Sequence, residues 1–97
     1  GLGLLHHGRT LPIVELRHAL GLGPVQRRSG DPLTVVIVDV GRGQVGLTVD
    51  AVLGVQQVVI RPISGAIRPP PWIAGAALMG DGSIAMMLDP QRLLQRR

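Results

Sequence analysis

The stretch LTVVIVDVGRGQVGLTVDAVLG, residues 33–54, decides the fold class. LTVVIVDV is β-branched almost throughout, and such side chains pack well on a pleated sheet while losing rotamer freedom in a helix. It reads as a strand largely buried on both faces. GRGQ supplies a turn, so VGLTVDAVL is expected to return antiparallel and complete a hairpin. Within the returning strand Val45, Leu47 and Val49 alternate with Gly46, Thr48 and Asp50, which places the first three toward a core. Gly54 marks a bend or bulge, and VQQVVIRPI follows as a third strand.

The same reading extends outward in both directions. Upstream, LPIVELRHALGLG begins with β-favouring Ile13 and Val14, and Pro12 suits an edge or a strand start. From Glu15 the period changes: Leu16, Ala19 and Leu20 recur at helical spacing, and Gly21 can close the helix. GPVQRRSGDP is polar and rich in turn formers, a surface connection. Downstream, SGAIRPPP crosses without regular structure, because consecutive prolines cannot donate to a ladder. WIAGAALMGDGSIAMML is a second hairpin turning at Asp81-Gly82. Asp89-Pro90 is an N-cap and first helical residue for the short helix QRLLQRR. Short strands, tight turns and a terminal helix together imply a mainly β protein built as a small barrel.

Composition narrows the chemistry. The chain of 97 residues has no Cys, and Trp72 is its one aromatic, so the core must be aliphatic and closely layered. Disulfides and thiolate metal sites are excluded, and a reducing, cytoplasmic setting is expected. No apolar run approaches the roughly 18 residues of a membrane helix, so no membrane insertion is expected. No secretory signal is present, and the chain does not begin with methionine, which reads as a fragment of a longer one. The formal charge is +4, carried by ten Arg and no Lys. A small basic β-barrel that binds nucleic acid is therefore an alternative reading. Against it, the Arg residues are scattered, with Arg27-Arg28 and Arg96-Arg97 the adjacent pairs, and single-strand binders stack bases on several aromatics.

No catalytic constellation emerges. Asp50 invites attention as a carboxylate among apolar residues, yet two-carboxylate chemistry needs a second acid beside it. Asp81 belongs to a turn, Asp89 to a helix cap, and Asp39 lacks any supporting context. Ala51 and Val52 follow Asp50 where an aspartic protease has a hydroxyl residue and Gly. Asp50 reads instead as a polar strand residue that accepts hydrogen bonds from backbone or Arg. His6 and His7, with His18, could suggest a metal, but neighbours on a strand point to opposite faces. GDGS at residues 80–83 lacks the Lys and helix of a phosphate loop and is explained by a hairpin turn. RPPP could serve as a polyproline ligand, though a rigid crossing explains it too. Ser29, Ser64 and Ser83 all lie beside Gly, without a partnering base. Neither catalysis nor a cofactor is expected, and an aliphatic β module with exposed apolar edges points to protein–protein contacts.

The ordered features resemble a known family. Gly-Leu-x-Val-Asp at residues 46–50, the Gly54 bend, the apolar-Arg-Pro-Ile run ending at Ile63, Gly75-Ala76, Gly-Asp-Gly at 80–82 and Leu-Asp-Pro at 88–90 match the second half of the CheW-like domain of bacterial chemotaxis. LPIVELRHALGLG is similar to the Leu-Pro segment that closes the family's first subdomain. The resemblance implies two Src-homology-3-like β-barrels, no catalysis and no cofactor. It also implies residence either in the free coupling protein CheW or in the carboxy-terminal regulatory domain of the histidine kinase CheA. MGDGSIAMMLDPQRLL resembles the kinase version more closely. The family domain begins earlier, so residues 1–30 are expected to hold the remainder of the first subdomain and the connecting helix. Residues 31–97 are then the second barrel and carboxy-terminal helix.

Membership further implies binding through apolar surfaces to CheW-type and CheA-type CheW-like domains and to the cytoplasmic tips of chemoreceptors. Open barrel edges add the expectation of self-association. The Leu-Pro segment carries over as Leu11, Pro12, Ile13, Val14, Leu16 and Arg17, beside the groove where receptor contacts are expected. At the second barrel's end the candidate contact residues are Val55 and Gln56 and the turn residues Asp81 and Gly82.

Overall fold

In the computed structural model the described residues are 3–23, 28–63, 65 and 68–95, and they form two compact units, Gly1–Leu53 and Gly54–Arg97. The protein is mainly β, with seven strands and two short helices among the described residues.

In the first unit, β1 (Gly3–His6) and β2 (Arg9–Glu15) form a hairpin closed by His7-Gly8. Both turn residues have positive φ, 48° and 76°, as a two-residue turn matched to the strand twist requires. Gly adopts this conformation freely, and His is among the side chains that tolerate it. β1 has no sequence signature, since GLLH is too short to show alternation.

β3 (Thr34–Asp39) and β4 (Gln44–Val49) form the expected hairpin, in register from Thr34↔Val49 to Asp39↔Gln44. The burial expectation for β3 is corrected. The sheet order is β1-β2-β4-β3, so β3 lies at an edge with Thr34 and Val36 exposed, while β4 is interior. The cause is β2, which occupies the far side of β4 through a parallel pairing of residues 13–15 with 46–48. Pro12 sits where β2 exchanges neighbours: residues 9–12 pair with β1, and pairing with β4 starts at Ile13. A residue without an amide hydrogen suits that handover, where one ladder ends and the next begins. Leu11, Val14 and Leu47 are buried and form the core here. Gly46 is buried as well, and a Cβ there would lie 2.8 Å from Val35 Cγ1. Val45 and Val49 are half-buried, so Leu47 is the best covered of the three inward residues.

α1 (Leu16–Ala19) directly follows β2 and ends as expected at Gly21. The Leu22 amide donates to the Arg17 carbonyl at 2.8 Å and the Gly21 amide to His18 at 3.1 Å, with Gly21 at φ 76°. These paired bonds satisfy carbonyls that a helix end otherwise leaves open.

The second unit contains β5 (Ile60–Arg61), β6 (Ile73–Leu78), β7 (Ile84–Leu88) and α2 (Pro90–Gln95), with sheet order β5-β6-β7. The expected third strand VQQVVIRPI is therefore reduced to two paired residues. Residues 51–59 carry no regular structure and leave Val52, Leu53, Val55 and Val59 exposed. Strand propensity is realised only against a neighbouring strand, and β6 supplies one just at Ala76 and Ala77.

The β6–β7 hairpin forms as expected, with a three-residue loop rather than a two-residue one. The Gly82 amide donates to the Met79 carbonyl at 3.0 Å, the Met79 amide to Ser83 at 2.8 Å, and Gly82 has φ 88°. This is a turn continued by one left-handed residue, a position that favours Gly. Asp89 caps α2 as expected, its Oδ1 accepting the Arg92 amide at 3.2 Å. Leu93 and Ala77 are each 1 % exposed and form the centre of this unit's core. The described part of 62–71 has no regular structure, in line with its prolines.

The compact units divide at residues 53 and 54, whereas the sequence division fell at 30 and 31. The β2–β4 ladder joins segments on both sides of residue 30 and so places them in one unit.

Candidate interaction surfaces

The Leu-Pro segment presents a mixed surface. Leu11 and Val14 are core residues of the first unit, so their side chains support the segment from beneath. Pro12 is exposed, and Ile13, Leu16 and Arg17 are half-buried, leaving these four to meet a partner.

Arg17 answers the question raised by Asp50. Its Nη1 lies 2.9 Å from Asp50 Oδ2, and its Nε donates to the Gly23 carbonyl at 2.6 Å. A single guanidinium at the start of α1 thus ties the end of β4 to the chain leaving α1. Its planar fork allows both bonds at once. Asp50 is exposed, with 57 % of its side chain accessible, so solvent screens the pair and its contribution is about 0–1 kcal/mol. A double-mutant cycle of Arg17→Ala and Asp50→Ala, read by urea unfolding, is expected to give a coupling within that range. The coupling should shrink as salt is raised. A coupling above about 2 kcal/mol would contradict the surface assignment.

Asp81 and Gly82 form the exposed tip of the β6–β7 hairpin. Asp81 Oδ1 accepts the Ser83 hydroxyl at 2.5 Å and the Ser83 amide at 2.9 Å. The hydroxyl bond first, and the amide bond second, hold the carboxyl below the ordinary aspartate value of 3.8. A depressed folded-state value means the contribution to stability is present above that ordinary value and is lost as pH falls through the lower, folded-state one. In an NMR titration the Asp81 carboxyl is expected to inflect below a free aspartate, and Ser83→Ala to move it back upward. An inflection unchanged by Ser83→Ala would refute the hydroxyl as the cause. Val55 and Gln56 are exposed in the irregular segment 51–59 and are free to make contact.

Two features escaped the sequence reading. His7 lies in a turn rather than on a strand, and its ring meets that of His6 edge-on at a centroid distance of 4.1 Å. No group of three or more His, Cys, Asp or Glu placed to hold a metal occurs among the described residues. The second feature is an apolar face on the β6–β7 hairpin. Leu78 stands opposite Ile84, with Met86 two residues further along the same face, and they are 70 %, 67 % and 55 % exposed. Arg61 and Ala76 complete the row that contains Met86. The run IAMML reads as buried because every residue is apolar, and its exposed alternate positions become visible only with the sheet.

No helix among the described residues is long and apolar enough to cross a membrane. The family description "CheW-like domain" matches residues 4–97. Among curated relatives, the chemotaxis protein CheA of Treponema pallidum is 35 % identical over 86 residues, covering 89 % of this chain and 11 % of that protein. CheA of Halobacterium salinarum is 38 % identical over 78 residues, covering 80 % of this chain and 11 % of the relative. A gliding motility regulatory protein of Myxococcus xanthus is 33 % identical over 88 residues, covering 90 % of the chain and 11 % of its own length. The chain thus spans about a tenth of the length of the curated relatives it matches. With a mainly β architecture and a match across nearly its whole length, the chain belongs to the CheW-like domain family.

Proposed function

We propose that the chain is a non-catalytic adaptor module that couples chemoreceptors to a histidine kinase in the cytoplasm, as the regulatory domain of a CheA-type kinase. The observation that carries this reading is the family match over residues 4–97 together with relatives that are CheA proteins. Those relatives favour the kinase-borne module over a free CheW-type coupling protein. Its partners in this reading are CheW-like domains and the cytoplasmic tips of chemoreceptors, with open strand edges available for self-association. Pro12, Ile13, Leu16 and Arg17 supply one contact surface, and Val55, Gln56, Asp81 and Gly82 supply another, with Leu11 and Val14 holding the first in place.

The reading is tested by titrating the chain, within its complete CheW-like domain, against a cognate CheW and a receptor-tip fragment in calorimetry. Saturable binding is expected, weakened by Ile13→Asp. Absence of binding to either at high micromolar concentration refutes the adaptor role. Salt-sensitive binding to DNA or RNA in place of protein would instead support the basic nucleic-acid module.

A further inference from the structure

The sheet of the second unit treats its two edges differently. At one edge, β5 is two residues long, carries exposed Arg61 and runs directly into Pro62. Short length, a charge and a proline are the devices by which natural edges avoid pairing. The other edge, β7, is Ile-Ala-Met-Met-Leu, five residues without a charge, a proline or a glycine.

The ladder fixes which groups of β7 face outward. Hydrogen-bonded and non-hydrogen-bonded pairs alternate along an antiparallel ladder. The Met79 amide bonds to Ser83 and the Asp89 amide to the Trp72 carbonyl, so the residues of β7 that bond toward β6 are Ala85 and Met87. The amides and carbonyls of Ile84, Met86 and Leu88 therefore point away from β6. Among the described residues no strand pairs along that side.

We propose that β7 pairs antiparallel with β7 of a second copy of this chain about a twofold axis at Met86. This deepens the self-association part of the proposed function by naming the edge. The register is self-complementary. Met86 meets Met86 of the second copy, and Ile84 meets its Leu88, so all three outward-facing residues of each strand are bonded. Ser83 falls opposite Asp89, and no like charges oppose one another, as a second copy requires. Side chains directly opposite lie within about 5.5 Å, so exposed Ile84 and Met86 gain apolar neighbours from the same step. Such a pairing is isologous, so it closes as a dimer and does not grow. Five residues bury little area, which makes the dimer weak and dependent on concentration.

The test is sedimentation of the 97-residue chain from low micromolar to about 0.5 mM, a range suited to a small interface. The expected mass rises from 10.2 kDa toward about twice that value. Met86→Lys sets two ammonium groups face to face and is expected to hold the mass at 10.2 kDa, with circular dichroism confirming the fold. Val52→Lys, a charge added on the irregular segment, is expected to dimerise like the parent. Because the chain has no Cys, Met86→Cys gives a single thiol, and it is expected to cross-link under oxidation faster than Val36→Cys on the edge of β3. If Met86→Lys fails to fold, the cross-linking comparison decides alone. A parent chain that stays monomeric throughout overturns the proposal, as does a dimer that persists in Met86→Lys. So does Met86→Cys cross-linking no faster than Val36→Cys. Each of these leaves the adaptor reading to its own binding test.

Discussion

Leu93→Ala is expected to destabilise the second unit by about 2–5 kcal/mol, the range for removing a fully buried leucine. Leu93 is 1 % exposed and is the largest fully buried side chain among the described residues. α2 is six residues long, too short to be helical on its own in water, so its order must come from packing. The Asp89 cap and the proline at the first helical position favour the helix start, but each is worth only about 1 kcal/mol. Burial of Leu93 is then what holds α2 in place. Small domains have about 5–15 kcal/mol of stability in total, so the loss brings the variant close to unfolding at ordinary temperature. Urea unfolding measures it, with Leu94→Ala as the comparison because Leu94 is only half-buried. A loss below about 1 kcal/mol for Leu93→Ala would show that this side chain is not at the centre of the core.

Gly75→Ala is expected to have the next largest effect, for the opposite reason. A Cβ at Gly75 would lie 2.7 Å from the Arg61 carbonyl oxygen and 2.7 Å from Ile60 Cγ2. A side chain can rotate away from a new methyl group, but a backbone oxygen held beside its neighbouring strand cannot. Either β5 separates from β6 or β6 shifts within the hairpin, and overpacking of this kind costs about 1–3 kcal/mol. β5 has two paired residues, so detachment is the easier response. Hydrogen exchange should therefore show lost protection at residues 60–61 while the β6–β7 ladder remains protected. Uniform loss across all three strands would mean that the methyl group displaces β6 instead. Gly46→Ala is the gentler counterpart, since the atom 2.8 Å away there is a valine methyl that can give by a small shift.

The elements legible in the sequence are those governed by neighbours along the chain. The 34–49 hairpin follows from β-branched runs around GRGQ, the β6–β7 hairpin from Asp81-Gly82, and the start of α2 from Asp89-Pro90. The end of α1 follows from Gly21. In each case the deciding interaction spans a few residues. What the sequence hides depends on distant partners. Nothing in LTVVIVDV says whether its outer side will be covered; that depends on β2 lying beside β4 and not beside β3. VQQVVIRPI has strand-forming residues but finds a neighbour only at Ile60 and Arg61. Asp50 could be read as a hydrogen-bond acceptor, yet its partner Arg17 is 33 positions away and could not be singled out among ten arginines. The candidate contact segment was legible as a motif, but the division of its residues into buried Leu11 and Val14 and accessible Pro12 required the sheet.

The parallel β2–β4 ladder also sets a folding schedule. Every strand pairing in the second unit joins consecutive strands, and its β6–β7 hairpin closes through a three-residue loop. The first unit has two local hairpins as well, but they become one sheet only when Ile13 meets Gly46, far along the chain. Closing such a loop costs chain entropy before any contact compensates for it, and contacts of that separation slow folding. The rate-limiting event for the first unit is then the meeting of two preformed hairpins. Substitutions at the β2–β4 seam should slow refolding, while those within either turn should mainly alter unfolding.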